Sequence, residues 1–250
     1  MKDSSQVEVL GSISNTTNMT SAFPGYRQRN SPLRKLKKVS QLDWDHPVKK
    51  YILERKIPNR YHAKLFLCPK FYAWTNKLVP GKFKKVTNDE QRLIIPFLDK
   101  DGKFFGYQGR SLSRESSLRY ITIMLDESRP KLYGLDDVNS SKSVYVVEGP
   151  IDSMFVNNCI AMAGSDVRLP YKNVVMIYDN EPRSREIVKK IEKSIDMGRK
   201  VVVWPSKIQY KDINDMIMNG YSKADIDLIL SENTHEGLSA KMALSVWKKV

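Results

Sequence analysis

Three groups of acidic residues each follow an apolar run, and oxygen ligands grouped in this way suit a divalent cation that handles phosphate. The first is Glu148, which ends the β-branched run Val144 to Val147; Gly149 and Pro150 then turn the chain and Asp152 follows. The second is Asp179 with Glu181, spaced i, i+2 after the run Val174 to Tyr178, so both can face one side. The third is Asp212 with Asp215, a short loop beyond Lys200 to Trp204. Neighbouring parallel strands lie about 4.8 Å apart, so acids at their ends converge on one place. Two of these acids have a plainer reading. Asp212 fits a metal ligand or the N-cap of a helix over Ile213–Met218, and Asp152 fits a supporting site residue or the first-turn acid of a helix.

These acids sit in a basic chain. The 250 residues carry a net charge of +14, which points to a polyanionic partner; solubility alone is the competing account. A bound cation would reconcile an acidic cluster with a phosphate-bearing ligand. Hydrophobic residues make up 41% of the chain, enough for a globular core. No apolar stretch approaches the roughly 20 residues of a membrane span, and the first 25 residues lack a signal-peptide core. A soluble, cytoplasmic protein with no membrane partner is expected. Two distant cysteines, Cys68 and Cys159, with three scattered histidines, cannot form a four-ligand zinc site.

The elements that must position the acids follow from periodicity. Residues 143 to 220 alternate strands and helices, as a parallel sheet requires. Strands are predicted at Ser143–Val147, Val174–Tyr178 and Lys200–Trp204, and helices near Ile151–Asn158 and Arg185–Met197. Ile187, Val188, Ile191 and Ile195 give the second helix one apolar stripe. Helices near Ala224–Leu230 and Gly237–Val246 close the chain. Upstream, Leu93–Leu98 and Lys103–Tyr107 read as a hairpin around Asp99 to Gly102, and Tyr120–Met124 as a further strand. From Trp44 to Leu65 the pattern is helical, with Asp45 as cap, Pro47 just inside and Pro58 at the end. Residues 1–40 are expected to form a disordered basic arm: Gly11 to Ser21 has few large apolar residues, and Arg27 to Lys38 carries six basic side chains and no acid.

The acidic pattern resembles the Toprim domain of bacterial-type primases, topoisomerases and related nucleases. The matching stretches are Glu148 to Asp152, Asp179-Asn180-Glu181, and Lys211 to Asp215. Glu181 stands where the family has aspartate, and Asn214 stands where it has its last acid. Upstream, Gly106 to Leu112 with Arg110, then Arg119-Tyr120-Ile121, then Lys131 to Leu135 look like the basic segment that precedes Toprim in primases. Val147 to Phe155, Asp179 to Arg183, Asp215 to Ile217 and Gly237 to Met242 are similar to the primases of T4-type bacteriophages. The resemblance runs from about Leu42 to the C-terminus.

The resemblance implies an α/β fold: a mainly parallel Toprim-type sheet flanked by helices (residues 141–220), preceded by a smaller basic subdomain of α+β character (41–140) and followed by a helical segment (221–250). It implies a DNA primase that makes short RNA primers from NTPs on a single-stranded DNA template, using Mg²⁺ or Mn²⁺. Glu148, Asp179, Glu181 and Asp212 would hold metal, and Glu148 is also the expected general base. Arg110, Arg119, Lys131 and Lys211 would contact template or nucleotide phosphates, and Tyr120 would stack on a base or, as strand aromatics more often do, pack in the core. Lys211 equally fits an ion pair with the acids. A replicative helicase is the implied partner. Primases of this type carry an N-terminal zinc ribbon; no cysteine pair for one exists here, so a separate zinc-ribbon polypeptide is expected and no zinc in this chain. A Toprim nuclease and a non-catalytic DNA- or helicase-binding remnant are the competing functions.

Overall fold

The computed structural model describes residues 31–250 other than 85, 87, 114, 115, 117 and 165–167. Residues 31–40 are placed rather than free. A 3₁₀ turn at Pro32–Lys35 is capped by Ser31, and strand β1 (Lys37–Lys38) pairs antiparallel with β2 (Phe66–Cys68). Leu33 and Val39 anchor this stretch in two different cores, so its apolar residues override the basic composition that suggested disorder. The Gly11 to Ser21 stretch lies outside the described residues.

Helix α1 (Pro47–Glu54) is capped by His46, whose Nδ1 accepts from the Val48 N–H at 3.1 Å; Asp45 is not the cap. It ends four residues before Pro58, because Lys56 adopts a left-handed φ of 54°. Pro58 instead precedes α2 (Asn59–His62). Helix α3 (Phe71–Leu78) leads to the hairpin of β3 (Arg92–Leu98) and β4 (Phe104–Ser111), and β5 (Tyr120–Met124) completes a five-stranded antiparallel sheet in the order β1-β2-β3-β4-β5. Asp99 closes the hairpin turn by accepting from the N–H groups of Asp101 and Lys103.

The second sheet draws strands from β6 (Leu132–Tyr133) to near the C-terminus. Strand β7 (Val144–Val147) runs into the short helix α4 (Pro150–Ser153), and β8 (Cys159–Met162) follows. The α4 helix is shorter than expected because the chain reverses at Asn158, φ 49°, to return as β8, a strand not among those predicted. Then come β9 (Val174–Met176), α5 (Arg185–Asp196), β10 (Lys200–Val202), α6 (Ile213–Met218), α7 (Lys223–Glu232), β11 (Thr234–His235) and α8 (Gly237–Trp247). The order is β11-β10-β9-β7-β8-β6, with β10, β9, β7 and β8 mutually parallel and both edges antiparallel. Residues 221–250 carry helices α7 and α8, add the edge strand β11 and bury Ala240, Leu244 and Trp247 in the same core.

Strand β3 joins the two halves. Leu93, Ile95 and Phe97 point into the core shared with Tyr133 and Val146, while Ile94 and Leu98 point into a second core with Phe71 and Tyr107. The period of two in a strand buried on both faces explains its unbroken apolar run. Strand order reverses around β7: the chain goes first to β8 on one side, then to β9 on the other. In open α/β sheets the crevice at such a reversal, beyond the carboxyl ends of the strands, is where ligands bind. Glu148 stands there.

Candidate functional site: an acidic sheet edge facing a basic wall

Glu148, Asp179 and Glu181 lie immediately beyond β7 and β9, and Asp212 begins α6. Their proximity is written in their proton affinities. Burial, then the charge of Glu148, pushes Asp179 up to about 6; Lys211 opposes, while Asp212 and Glu181 add to the rise. Asp212 is raised by burial too, against the pull of the Asp215 N–H. That N–H, 2.7 Å from Asp212 Oδ1, makes Asp212 the N-cap of α6. Asp215 occupies the first turn of α6, a helix-favouring place for an acid.

Two ammonium groups offset this charge. Lys190 Nζ lies 2.7 Å from Glu148 Oε1, and Lys211 Nζ lies 3.5 Å from Asp179 Oδ2 and 3.3 Å from Glu181 Oε1. Lys211 thus makes the ion pair that was one of its two expected roles. Lys190 was not foreseen: it lies on α5, whose spacing advertises only its apolar stripe. Among the described residues, no three His, Cys, Asp or Glu side chains stand close enough to hold a metal ion as placed. The donor chemistry nevertheless fits a hard divalent cation: the candidate donors are all carboxylate oxygens, and their mutual repulsion would be relieved by positive charge.

Asp152 lies behind this edge. Burial and the charge of Asp212 push it up to about 7, while the Asn214 N–H, 2.9 Å from its Oδ1, works the other way. Asn214 is itself buried and faces away from the acids. Its side chain accepts from Arg55 Nη1 at 2.7 Å and donates to the Arg55 carbonyl at 2.8 Å. The residue that replaces the family's last acid is a clamp between the acidic sheet and the C-cap of α1. Arg55 and Asn214 are 159 positions apart, and no local pattern announces the pair.

The basic side is built on β4 and β5. Arg110 is buried, its guanidinium carbon 4.6 Å from the centre of the half-exposed Tyr120 ring and 5.0 Å from that of Tyr51. Burial lowers the proton affinity of Arg110 and raises that of Tyr51. Arg119 precedes Tyr120 and is exposed. Its carbonyl, with those of Gly109 and Leu118, accepts from the fully buried Arg92, which also pairs with Glu90. A Cβ at Gly109 would run into the Phe71 ring, so the strand can approach α3 only through glycine. Lys131 is exposed just before β6, its stem beside Gly164. Tyr51, Arg55 and Asp152 all act electrostatically on one another or on Arg110, which places the basic wall beside the acidic edge.

A mainly parallel sheet with strand-end acids, joined through β3 to an antiparallel sheet, is the fold of bacterial primase catalytic cores. Solved structures share this fold: the RNA polymerase domain of Mycobacterium tuberculosis primase DnaG (TM-score 0.61, 16% identity, 83% of this chain and 82% of that one) and the Aquifex aeolicus primase with its zinc-binding and RNA polymerase domains (0.59, 18%, 76% and 56%). The DnaG primase catalytic domain bound to single-stranded DNA is similar to the same degree (0.59, 18%, 80% and 76%). The chain is similar to the DNA primase of Enterobacteria phage T4, to which it is 37% identical over 219 residues, 85% of this chain. It spans 64% of that protein's length. No family model matches the chain.

Proposed function

We propose that this chain is the catalytic part of a DNA primase, joining NTPs into short RNA primers on single-stranded DNA during phage replication. The observation that carries the reading is the acidic edge of Glu148, Asp179, Glu181 and Asp212 set beside the basic wall of Arg110 and Arg119. The named phage relative and the DNA-bound neighbour support it. Glu148, Asp179 and Glu181, with Asp212 in part, would hold a divalent cation, Mg²⁺ or Mn²⁺. When bound, that cation supplies charge neutralisation for phosphoryl transfer, the chief need of such chemistry.

The chain's own residues do the rest. Glu148 accepts the proton of the attacking primer 3′-hydroxyl as its oxygen bonds the NTP α-phosphorus and pyrophosphate leaves. Lys190, paired with Glu148, and Lys211, paired with Asp179 and Glu181, hold the acids apart until substrate arrives, and Lys211 then turns to the triphosphate. Arg119 and Lys131 are exposed for template phosphate. Tyr120 offers its open face to a base, with Arg110 fixing the ring from below. Asp152 and Asp215 support the edge through α6. A replicative helicase and a separate zinc-ribbon polypeptide are the partners this reading entails, and the host cytoplasm its place of action. Among the described residues, no helix is long and apolar enough to cross a membrane.

The test is primer synthesis on single-stranded DNA by the purified chain, with a family zinc-ribbon module supplied in trans. RNA product that depends on divalent cation and disappears in Asp179→Ala is expected. No product from the wild type, or undiminished product from that variant, overturns the reading.

A further inference from the structure

The loop that presents Asp179 and Glu181 has a second side. Between them, Asn180 turns its amide away from the acids. Its Nδ2 donates to the carbonyls of Ile208 (2.9 Å) and Tyr210 (3.1 Å), and its Oδ1 accepts from Trp247 Nε1 at 3.1 Å. The Lys249 N–H donates to the Pro182 carbonyl at 2.8 Å, which ties the end of α8 to the same loop.

Behind this loop opens a cleft of about 650 Å³, within the size range of small-ligand sites. Its walls are Asn180, Pro182 and Arg183, the stretch after β10, and α8; neither Asp179 nor Glu181 lines it. Trp204, Val246 and Trp247 provide an apolar surface, and Asn233 and His235 provide hydrogen-bonding groups. Two cations, Arg183 and Lys249, stand exposed at its rim. Among the described residues no carboxylate lies within 4.0 Å of either, although six other lysines of this half, Lys190, Lys200, Lys211, Lys223, Lys241 and Lys248, are ion-paired. An apolar wall, a few convergent polar groups and two uncompensated cations are the makings of a site for a planar, phosphate-bearing molecule.

We propose that this cleft binds a mononucleotide, with its phosphates on Arg183 and Lys249 and its base against the indole-lined wall near Asn233 and His235. The site goes beyond primer synthesis and does not need it. Its consequence is regulatory, because Asn180 is both a wall of the cleft and the residue between two acids of the catalytic edge. A nucleotide there changes the affinity of that edge for a divalent cation, and the cation changes nucleotide affinity by the same factor.

The experiment titrates ADP into the full chain in EDTA, where no divalent cation bridges phosphate to the acids, following calorimetric heat and tryptophan fluorescence. Saturable binding is expected, weakened about 10-fold or more in the Arg183→Ala/Lys249→Ala double variant, as loss of charge-assisted hydrogen bonds predicts. Asp179→Ala should retain it, each variant first checked for native circular dichroism. Absence of saturable binding in EDTA overturns the proposal. So does binding that survives the double variant, binding lost in Asp179→Ala, or inorganic phosphate binding as tightly as ADP.

Discussion

Lys190 Nζ sits 2.7 Å from Glu148 Oε1 and 2.8 Å from Glu186 Oε1, so the strand-end glutamate is held by an ammonium from the neighbouring helix. Burial works against the lysine's charge, but its two carboxylate partners outweigh that and raise its proton affinity. A divalent cation must compete with this ammonium for Glu148. Lys190→Met should therefore tighten Mn²⁺ binding about fivefold, the equivalent of ~1 kcal/mol for a solvent-screened pair. Mn²⁺ titration followed by electron paramagnetic resonance reads it; unchanged or weaker binding would remove Lys190 from this role.

Asp179 should separate function from stability. Its raised proton affinity means that the ionised carboxylate is disfavoured in the metal-free fold. Asp179→Asn removes that charge and keeps the shape, so the melting temperature in EDTA should rise while primer synthesis falls by about 10²-fold or more, as expected for loss of an electrostatic group in phosphoryl transfer. Parallel melting and primer assays test both halves.

The same shift sets a pH dependence. Asp179 titrates near 6 in the fold against an ordinary 3.8, and Asp152 near 7. The folded state holds more protons than the unfolded state between those values. The stability these groups contribute is complete below about pH 4 and lost as pH rises through about 6 to 7. Divalent cations bind the ionised forms, so their stabilising effect should grow over that same range. Melting curves in EDTA and in Mg²⁺ from about pH 5 to 8 should diverge with rising pH; parallel curves would contradict the assignment.

Asn214 can be returned to the acid that the family pattern has. In this fold that change should harm the protein, because Asp at 214 cannot donate to the Arg55 carbonyl and would put a second charge beside Asp152. Asn214→Asp should cost about 1–3 kcal/mol of stability, the range for a broken buried hydrogen bond, with no gain in Mn²⁺ affinity. Denaturant unfolding and metal titration decide it, and tighter metal binding would show that position 214 faces the cation after all.

Arg110 lies between two tyrosine rings, and a flat guanidinium suits that place better than an ammonium. Arg110→Lys should loosen Tyr120 and weaken binding to a single-stranded oligonucleotide by about 5- to 30-fold, the scale of one stacked base. Arg119→Ala should instead reduce the salt dependence of binding by about one counterion. Fluorescence anisotropy across a salt series distinguishes the two effects.

Much of this was legible along the chain. Glu148, Asp179 and Glu181 could be placed at strand ends because a β-branched run that stops at a turn is a local signal, and strand spacing then brings the ends together. The apolar stripe of α5 and the Asp99 turn were legible for the same reason. The cap of α1 was missed because His46, an uncommon capping residue, accepts the bond that Asp45 was expected to take. Strand β8 was missed because four residues beside a turn carry too little period to separate strand from loop.

By itself, then, the order of residues determined which acids end the strands and that the second half is a mainly parallel sheet. Tertiary structure alone decided the partners of those groups. Lys190 meets Glu148 across 42 positions, and Arg55 meets Asn214 across 159, through side chains whose own neighbourhoods read only as helix surface and helix start. Ion pairs and hydrogen bonds depend on distance in space, and periodicity reports only which face a residue lies on. That is why the acids of this edge could be identified from sequence, while the lysines that hold them and the clamp behind them required the fold.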